Sequence, residues 1–148
     1  MDGLVYGAPM PAADCLFCAI VAGFEPATKV LEEEHCVAFL DVRPLFPGHV
    51  LLVPRAHHVT LADLPSELVA PLFTTAQRVC RALEAALDAH GTFVAMNNVI
   101  SQSVPHLHVH VVPRRRKDGL RGFFWPRTRY ADGEAEEVAA RLRAALSA

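Results

Sequence analysis

Three histidines alternate with aliphatic residues in one stretch of this chain, which reads His106-Leu107-His108-Val109-His110-Val111-Val112. A β-strand points successive side chains to opposite faces, so these three imidazoles would share one face, with neighbours about 6.5–7 Å apart. Near neutral pH an imidazole can act as a nucleophile, carry a proton or bind a metal ion. The row is therefore predicted to form part of a functional site.

Spacing alone leaves three interpretations of this row open. The first is a half-buried strand whose outer face carries histidines without a function. The second is a metal centre, because two histidines at positions i and i+2 of a strand can converge on one Zn²⁺. The third is nucleophilic catalysis by the central His108, with its neighbours positioning and protonating groups around it. Such an attack needs hydrogen-bond donors for the developing charge, and Gln102, Ser103 and His110 are of the right type in the right neighbourhood.

Two further candidates, Cys15 and Cys18, form a Cys-x-x-Cys pair. On its own the pair fits buried hydrophobic residues, a redox pair of the thioredoxin type or half of a zinc site. A redox pair normally follows a strand at the start of a helix, and this pair lies too near the start of the domain for that. Cys36 and Cys80 have apolar neighbours and are predicted to be small core residues.

The elements that must position these residues form a predicted α+β fold. Helices are predicted at 15–22, where Gly23 ends the helix, around 68–86 and at 134–146, and strands at 30–32, 36–41, 49–54, 92–97 and 106–112. Pro71 does not suit a helix interior, so the long helix is predicted to begin late or to kink there. Short loops between most strands favour an antiparallel sheet, with one long and two shorter helices packed on it.

Length and composition indicate one folded domain. The chain has 148 residues, of which 52% are hydrophobic and 20% charged, and this balance excludes a disordered protein. We predict a single domain over 1–148, with a core at 14–114, a basic irregular segment at 114–130 and the last helix at 134–146. Seven of the 14 Lys and Arg lie close together after the histidine row, at Arg114, Arg115, Arg116, Lys117, Arg121, Arg127 and Arg129.

The chain carries no sign of a membrane or export segment. No stretch approaches the roughly 20 apolar residues of a membrane span. No basic segment precedes a hydrophobic run at the beginning, so no signal peptide is expected. The protein is therefore predicted to be cytoplasmic, with reduced thiols and no membrane contact.

Several motifs together resemble the histidine triad (HIT) family of nucleotide hydrolases and transferases, in its bacterial Hint-like branch. The histidine row matches the family signature, Gln102-Ser103-Val104-Pro105 precedes it and Pro113-Arg114 follows it. The upstream matches are Cys15-Leu16-Phe17-Cys18-Ala19-Ile20-Val21-Ala22-Gly23, Phe39-Leu40-Asp41 and Pro47-Gly48-His49-Val50-Leu51-Leu52-Val53-Pro54-Arg55-Ala56-His57. The resemblance runs from about Asp14 to Arg114 in the family's order. It implies the same fold class and a homodimer whose two sheets join into one.

The resemblance also implies a role for each matching residue. His108 would be the nucleophile, Ser103 would help to protonate the leaving group, and His49 would lie behind His110. The groups expected to bind the nucleotide are His110, Asn97, Gln102 and Ser103 near the phosphate and Asp41 at the ribose hydroxyls. The purine pocket would be lined by Leu16, Phe17, Ile20, Phe39, Leu40 and Val42.

A structural zinc site is the resemblance's other implication. Its ligands would be Cys15, Cys18, His57 and His106, a closed Cys₂His₂ tetrahedron. One departure from the family lies between Asn97 and Gln102, where most members have a longer, glycine-rich loop. Here the loop contains Val99-Ile100-Ser101 and no glycine, which makes close backbone contacts to a phosphate harder to form.

These observations predict a zinc-containing nucleotide hydrolase without an organic cofactor. It would cleave an AMP derivative or similar purine nucleotide at the α-phosphate, releasing an amine, acyl or phosphate group. His110 stands where uridylyltransferase relatives carry Gln, which favours hydrolysis over transfer. The alternatives are a diadenosine polyphosphate phosphorylase and a non-catalytic nucleotide-binding or partner-regulating protein.

The basic segment carries an aromatic cluster, Phe123, Phe124 and Trp125, which alone is weak evidence for a nucleic-acid partner. We expect no such partner. The segment is interpreted as a solvated loop or as a region that attracts the phosphates of the substrate.

Overall fold

The computed structural model describes residues 13–121 and 127–148, and internal contacts divide the chain into two units, Met1–Asp118 and Gly119–Ala148. The first unit contains a five-stranded sheet in the order β1-β2-β3-β5-β4, in which all neighbouring strands are antiparallel. Its strands are β1 Lys29–Glu32, β2 Cys36–Leu40, β3 Val50–Pro54, β4 Gly91–Ala95 and β5 Val109–Arg114. The α+β prediction with an antiparallel sheet is confirmed.

Two α-helices belong to the first unit and one to the second. These are α1 Leu16–Ala22, α2 Ser66–Leu87 and, in the second unit, α3 Glu134–Leu146; a short 3-10 helix spans Leu61–Asp63. Among the described residues, no helix has the length and hydrophobicity that crossing a membrane requires. The aromatic cluster at 123–125 lies outside the described residues, and the single-domain assignment stays a prediction.

Helix α1 is short because both of its ends are fixed. Cys15 is its N-cap, and Cys15 Sγ accepts a hydrogen bond from the Cys18 backbone N–H at 3.4 Å. Gly23 ends the helix in the left-handed region, with φ of 84°, a conformation that glycine adopts without a steric penalty. The helix therefore presents Phe17, Cys18 and Ile20 as a buried face.

Helix α2 begins at Ser66 and continues through Pro71, so the late start expected from this proline is wrong. Proline at this position removes the hydrogen bond to the carbonyl of Glu67. Glu67 is exposed, so water can satisfy that carbonyl, and the cost is offset by burial of the opposite face. That face consists of Leu72, Thr75, Ala76, Val79 and Leu83.

The sheet has a buried core on each side. On one side, α2 covers Ala38, Val50, Leu52, Val109 and Val111. On the other side, Phe17, Cys18 and Ile20 of α1 pack with Val37, Phe39, Leu51 and Val53. Alternate residues of β2 and of β3 thus contribute to opposite cores, as the period of a strand requires.

The histidine row enters the sheet later than predicted. Strand β5 begins at Val109, whereas the sequence predicted a strand from His106. The His106 backbone N–H donates to the Val104 carbonyl at 2.8 Å, and that of Leu107 to the His58 carbonyl at 2.7 Å. These bonds replace the ladder of a regular strand. Similarly, β4 ends at Ala95, so Asn97, which was predicted to lie within the strand 92–97, follows the end of the observed strand.

The loop between β2 and β3 turns tightly at Gly48, which has φ of 99°. A Cβ atom at this position would collide with Leu87 Cδ1 and would lie 3.3 Å from Pro113 Cγ. Glycine is therefore required both for the backbone conformation and for the close approach of the loop to α2 and β5.

Candidate active site

A cavity of about 320 Å³ lies between α1 and the sheet in the first unit, and it gathers most of the predicted site. Its apolar wall contains all six residues predicted for a purine pocket, Leu16, Phe17, Ile20, Phe39, Leu40 and Val42, together with Pro26, Ala27, Leu51 and Val104. Its polar residues are Asp41, Arg43, Ser103, His108 and His110. An apolar cavity with a few convergent polar groups is the usual form of a small-molecule site.

A larger cavity of about 530 Å³ lies between α2 and the opposite face of the sheet. Its walls are almost entirely aliphatic, and its one charged lining residue, Arg78, is ion-paired with Glu33. No lining residue of this cavity can act as a nucleophile or proton carrier. We therefore assign the chemistry to the cavity beside α1.

The strand register brings the functional side chains to the α1 side. Leu51 of β3 and Ala95 of β4 both pair with His110, and Phe39 of β2 pairs with Leu51. These four residues form one row across the sheet. Continuing the register of β4 and β5 by two residues would set Asn97 opposite His108, although Asn97 does not line the cavity.

His108 is held in one orientation. Its Nδ1 lies 2.8 Å from the backbone oxygen of His106. A carbonyl only accepts hydrogen bonds, so Nδ1 carries the proton and Nε2 has the free lone pair. The ring is 3% exposed, and Phe17 packs edge-on against it with ring centroids 5.0 Å apart. His108 therefore has the tautomer that a nucleophilic Nε2 requires.

His110 contacts His108 on one side and His49 on the other. The His108 and His110 ring centroids are 5.0 Å apart, and His110 Nδ1 lies 2.9 Å from His49 Nε2. His49 is buried, and its Nε2 lies 3.7 Å from Asp41 Oδ2. Burial, with smaller contributions from His108 and His49, lowers the pKa of His110 to about 4. Burial also lowers the pKa of His49, against the opposing charge of Asp41, so both rings are neutral at pH 7.

This pKa shift predicts a dependence of stability on pH. Folded His110 stays neutral down to about pH 4, whereas unfolded His110 binds a proton near pH 6.5. Between these values the unfolded chain binds more protons, so acidification lowers the free energy of unfolding. We expect the free energy of unfolding to fall less steeply with decreasing pH in His110→Asn. The difference in slope should correspond to up to about one bound proton. Urea unfolding from pH 7.5 to 4.5 measures the slope.

The comparison isolates His110 because both proteins keep the other titrating groups of the site. Asp41, His49 and His108 face His110 in the wild type and remain in the variant. Release of a metal ion at low pH would affect both proteins alike. Equal slopes for wild type and variant would contradict the shifted pKa.

A second cluster lies directly beside the first. The ligand atoms of Cys15, Cys18, His57 and His106 all lie within 4.8 Å of one another. His106 Nδ1 is 3.5 Å from Cys15 Sγ and 3.4 Å from Cys18 Sγ, and His57 Nδ1 is 3.2 Å from Cys18 Sγ. Atoms that bind zinc tetrahedrally at about 2.0–2.3 Å lie about 3.3–3.8 Å apart. The cluster therefore has the donor types and spacing of a Cys₂His₂ zinc site.

The His106 ring has the tautomer and the orientation that a metal ligand needs. Its Nε2 lies 2.8 Å from the backbone oxygen of Pro54, so Nε2 carries the proton and the Nδ1 lone pair faces the cysteines. Burial lowers the pKa of His106 to about 4, which keeps the ring neutral. His106 is fully buried.

In the loop before the histidine triad, the Gln102 side chain forms hydrogen bonds with the backbone of the protein. Both ends of the Gln102 amide are occupied, because Oε1 accepts from the Val99 N–H at 3.0 Å and Nε2 donates to the Val59 carbonyl at 2.6 Å. The structure thus brings Ser103 to the cavity, but not Gln102. Val99 and Ser101 have φ of 69° and 61°. The glycine-free loop reaches a left-handed conformation at these residues, which is strained for a β-branched valine.

Sequence reasoning missed Arg43, which lines the cavity and donates its backbone N–H to Asp41 Oδ1 at 2.8 Å. A signal was available, since Arg43 follows Asp41 by two residues, between the strands predicted at 36–41 and 49–54.

The HIT domain model matches residues 23–117, which is more than half of the chain. The chain belongs to the HIT family. Among curated relatives, a HIT-like protein of Mycobacterium tuberculosis is 42% identical over 72% of this chain and 75% of its own length. An adenosine 5'-monophosphoramidase of Saccharomyces cerevisiae is 34% identical over 73% of this chain and 68% of its own. An adenylylsulfatase of Arabidopsis thaliana is 33% identical over 72% of this chain and 55% of its own.

Solved structures agree with this membership. A Streptococcus mutans protein has a TM-score of 0.84 and 33% identity, covering 95% of this chain and 89% of its own. A zinc-bound histidine triad protein of Mycobacterium smegmatis has a TM-score of 0.70 and 38% identity, covering 89% of this chain and 97% of its own. The HIT fold predicted from the motifs is thus confirmed.

Proposed function

We propose that this HIT-family protein hydrolyses purine nucleotides at the α-phosphate, through a covalent nucleotidyl intermediate on His108. The observation that carries the proposal is the orientation of His108, whose Nδ1–H is held by the His106 carbonyl in the wall of a nucleotide-sized cavity. Two relatives with about one-third identity, named as a monophosphoramidase and an adenylylsulfatase, support hydrolysis of a bond to the α-phosphate.

The nucleotide would bind with its base against Phe17, Ile20 and Phe39 and its ribose hydroxyls at Asp41. Apolar contact supplies affinity for the base, while the carboxylate accepts two hydrogen bonds and fixes the sugar. The α-phosphate would then lie beside His108 and His110. Burial of these groups strengthens their hydrogen bonds to the developing charge.

The reaction would proceed in two displacements. In the first, His108 Nε2 forms a bond to phosphorus, the bond to the leaving group breaks, and Ser103 donates its hydroxyl proton to that group. In the second, water attacks phosphorus, returns a proton to Ser103, and the bond between phosphorus and Nε2 breaks. His110 stabilises the charged phosphate oxygens in both steps.

A zinc ion would be held by Cys15, Cys18, His57 and His106, and we propose one per chain. With four protein ligands it would supply structure and no open coordination position. Its effect on the reaction would be indirect, since His106 also provides the carbonyl that orients His108. None of the four cysteines forms a disulfide bond, which supports a proposed cytoplasmic location, where thiols stay reduced.

Water rather than inorganic phosphate is the proposed acceptor. A phosphorylase must hold a second anion near His108, and the basic run Arg114–Lys117 would be the candidate for binding it. Arg114 lies four residues beyond His110 on β5, about 13 Å away. Its guanidinium binds the Asp118 carboxylate at 2.6 and 2.9 Å, and that of Arg115 binds the Leu87 carbonyl. Both are therefore engaged away from the cavity.

Product analysis tests this proposal. The enzyme is incubated with adenosine phosphoramidate and with diadenosine tetraphosphate, each with and without labelled phosphate. We expect AMP from both substrates, at rates that added phosphate does not change. Label in a nucleoside diphosphate at the rate of substrate loss would establish a phosphorylase instead. No turnover of either substrate, with nucleotide binding intact, would favour the non-catalytic alternative.

We also propose a homodimer that joins two sheets at β4. This strand lies at the edge of the sheet, and Val94 on it is 42% exposed. An open edge can pair with a second copy, and a charged residue on it prevents pairing. We expect light scattering to give a dimer for the wild type and a monomer for Val94→Lys. A wild-type monomer at micromolar concentration would contradict the proposal.

A further inference from the structure

A chain of hydrogen bonds leads from the loop between β2 and β3 to the catalytic cavity. The backbone N–H of Leu45 lies 3.1 Å from His49 Nδ1. His49 Nε2, on the other side of the ring, lies 2.9 Å from His110 Nδ1. His110 lines the cavity, so this chain joins a loop amide to the wall of the site.

The first bond in the chain decides the direction of the others. A backbone N–H can only donate, so His49 Nδ1 must accept and carries no proton. A neutral His49 then has its proton on Nε2 and donates it to His110 Nδ1. His110, having accepted at Nδ1, has its own proton on Nε2. Both rings are buried enough to favour the neutral forms that this reasoning requires.

We propose that the backbone N–H of Leu45 is a positioning group of the active site, which fixes the tautomer of His110 so that it offers an N–H to a phosphate in the cavity. The consequence for catalysis rests on the proposed function, because it is the phosphate oxygens of a bound nucleotide that need hydrogen-bond donors. The opposite tautomer would present a lone pair to those oxygens and would repel them.

The same tautomers distinguish two clusters that both have the side-chain types and spacing of a metal site. Ligand atoms of Asp41, His49 and His110 also lie within 4.8 Å of one another. However, the proton between His49 Nε2 and His110 Nδ1 occupies both lone pairs that a metal would need. At His106, by contrast, the proton points away from the cysteines to Pro54. The Leu45 N–H therefore disfavours metal binding at the cluster of Asp41, His49 and His110.

The loop is built to hold this N–H in place. Its two ends are tied because the Asp41 N–H donates to the His49 carbonyl at 2.9 Å. Within it, the His49 N–H donates to the Phe46 carbonyl at 3.0 Å. Gly48 seats the loop against Leu87. Leu45 itself exposes 53% of its surface, so its amide, and not its side chain, serves the site.

Nitrogen NMR on the wild-type protein tests the inference directly. Long-range proton–nitrogen spectra of histidine-labelled protein at pH 7.5, without substrate, report which ring nitrogen bears the proton. We expect the proton on Nε2 for both His49 and His110, with assignments made from His49→Asn and His110→Asn. A proton on Nδ1 of His49 would overturn the proposal. Because no turnover is measured, this result is independent of whether the protein is a hydrolase.

A pair of variants then tests the role of the N–H. Leu45→Pro removes the donor, whereas Leu45→Ala keeps it and removes only the exposed side chain. We expect the Nε2–H signal of His110 to persist in L45A and to lose most of its intensity in L45P. L45P should also have a kcat about 10- to 100-fold below that of L45A. Unchanged tautomers in a folded L45P would overturn the role of Leu45. If L45P fails to fold, the wild-type spectrum still tests whether His49 carries its proton on Nε2, as the Leu45 N–H requires.

Discussion

Replacing His108 with alanine is expected to lower turnover by at least about 10³-fold, because the change removes the nucleophile of both displacements. Nucleotide binding should be retained, since the apolar wall and Asp41 are untouched. Rates with adenosine phosphoramidate measure the first effect, and calorimetric titration with AMP measures the second. A matched control is His35→Ala, which removes an exposed imidazole in the turn between β1 and β2.

The same variant tests the covalent intermediate. Mass spectrometry after rapid quenching should find one added nucleotidyl group on the wild-type protein during turnover. The group should be absent from His108→Ala and present in the His35→Ala control. Substantial turnover by a folded His108→Ala protein would rule out His108 as the nucleophile. Melting temperatures of all three proteins show whether loss of activity reflects loss of fold.

Each of the three histidines of the triad has a different hydrogen-bond partner at one ring nitrogen. His106 gives its Nε2–H to the Pro54 carbonyl and turns Nδ1 to the cysteines. His108 gives its Nδ1–H to the His106 carbonyl and keeps Nε2 free. His110 contacts His49 through Nδ1. Under the proposed function, these different partners would make identical side chains a metal ligand, a nucleophile and a hydrogen-bond donor.

Much of the fold could be predicted from local patterns. The helix from Cys15 to Gly23 is marked by its glycine, and the strands at 36–41 and 49–54 by their apolar runs, which match β2 and β3 to within one residue. The six residues predicted for a purine pocket could be named because the family motif that they resemble fixes their order. They meet in one cavity because α1 packs on the sheet face that carries Phe39.

The errors arise where backbone contacts distant in sequence decide the structure. The strand start at Val109, rather than His106, depends on the Leu107 N–H reaching the His58 carbonyl, 49 residues earlier. The engagement of Gln102 with Val59 has the same origin. The contribution of Leu45 comes from a main-chain N–H, so no residue type announces it. Periodicity and motif spacing carry no information on these contacts.

Loss of the proposed metal site should have the second large effect. We expect Cys15→Ser with Cys18→Ser to reduce the metal content from about one per chain to none and to lower the melting temperature by about 10 °C or more. The reason is that metal binding favours only the folded state, in which α1, His57 and the entry to β5 are brought together. Elemental analysis and thermal unfolding measure the two changes.

Cys80→Ser is the control, because Cys80 lies outside the cluster and only accepts a bond from Thr92. It should keep its metal. The double variant should also lose activity, since His106 links the metal site to the nucleophile and Val59, two residues after His57, holds Gln102 beside Ser103. The proposal would be contradicted if wild-type protein purified without chelators contained no metal and gained no stability when zinc was added. Both cysteines would then be core residues. A double variant that loses its metal but not its activity would show that the metal site and the catalytic site are independent.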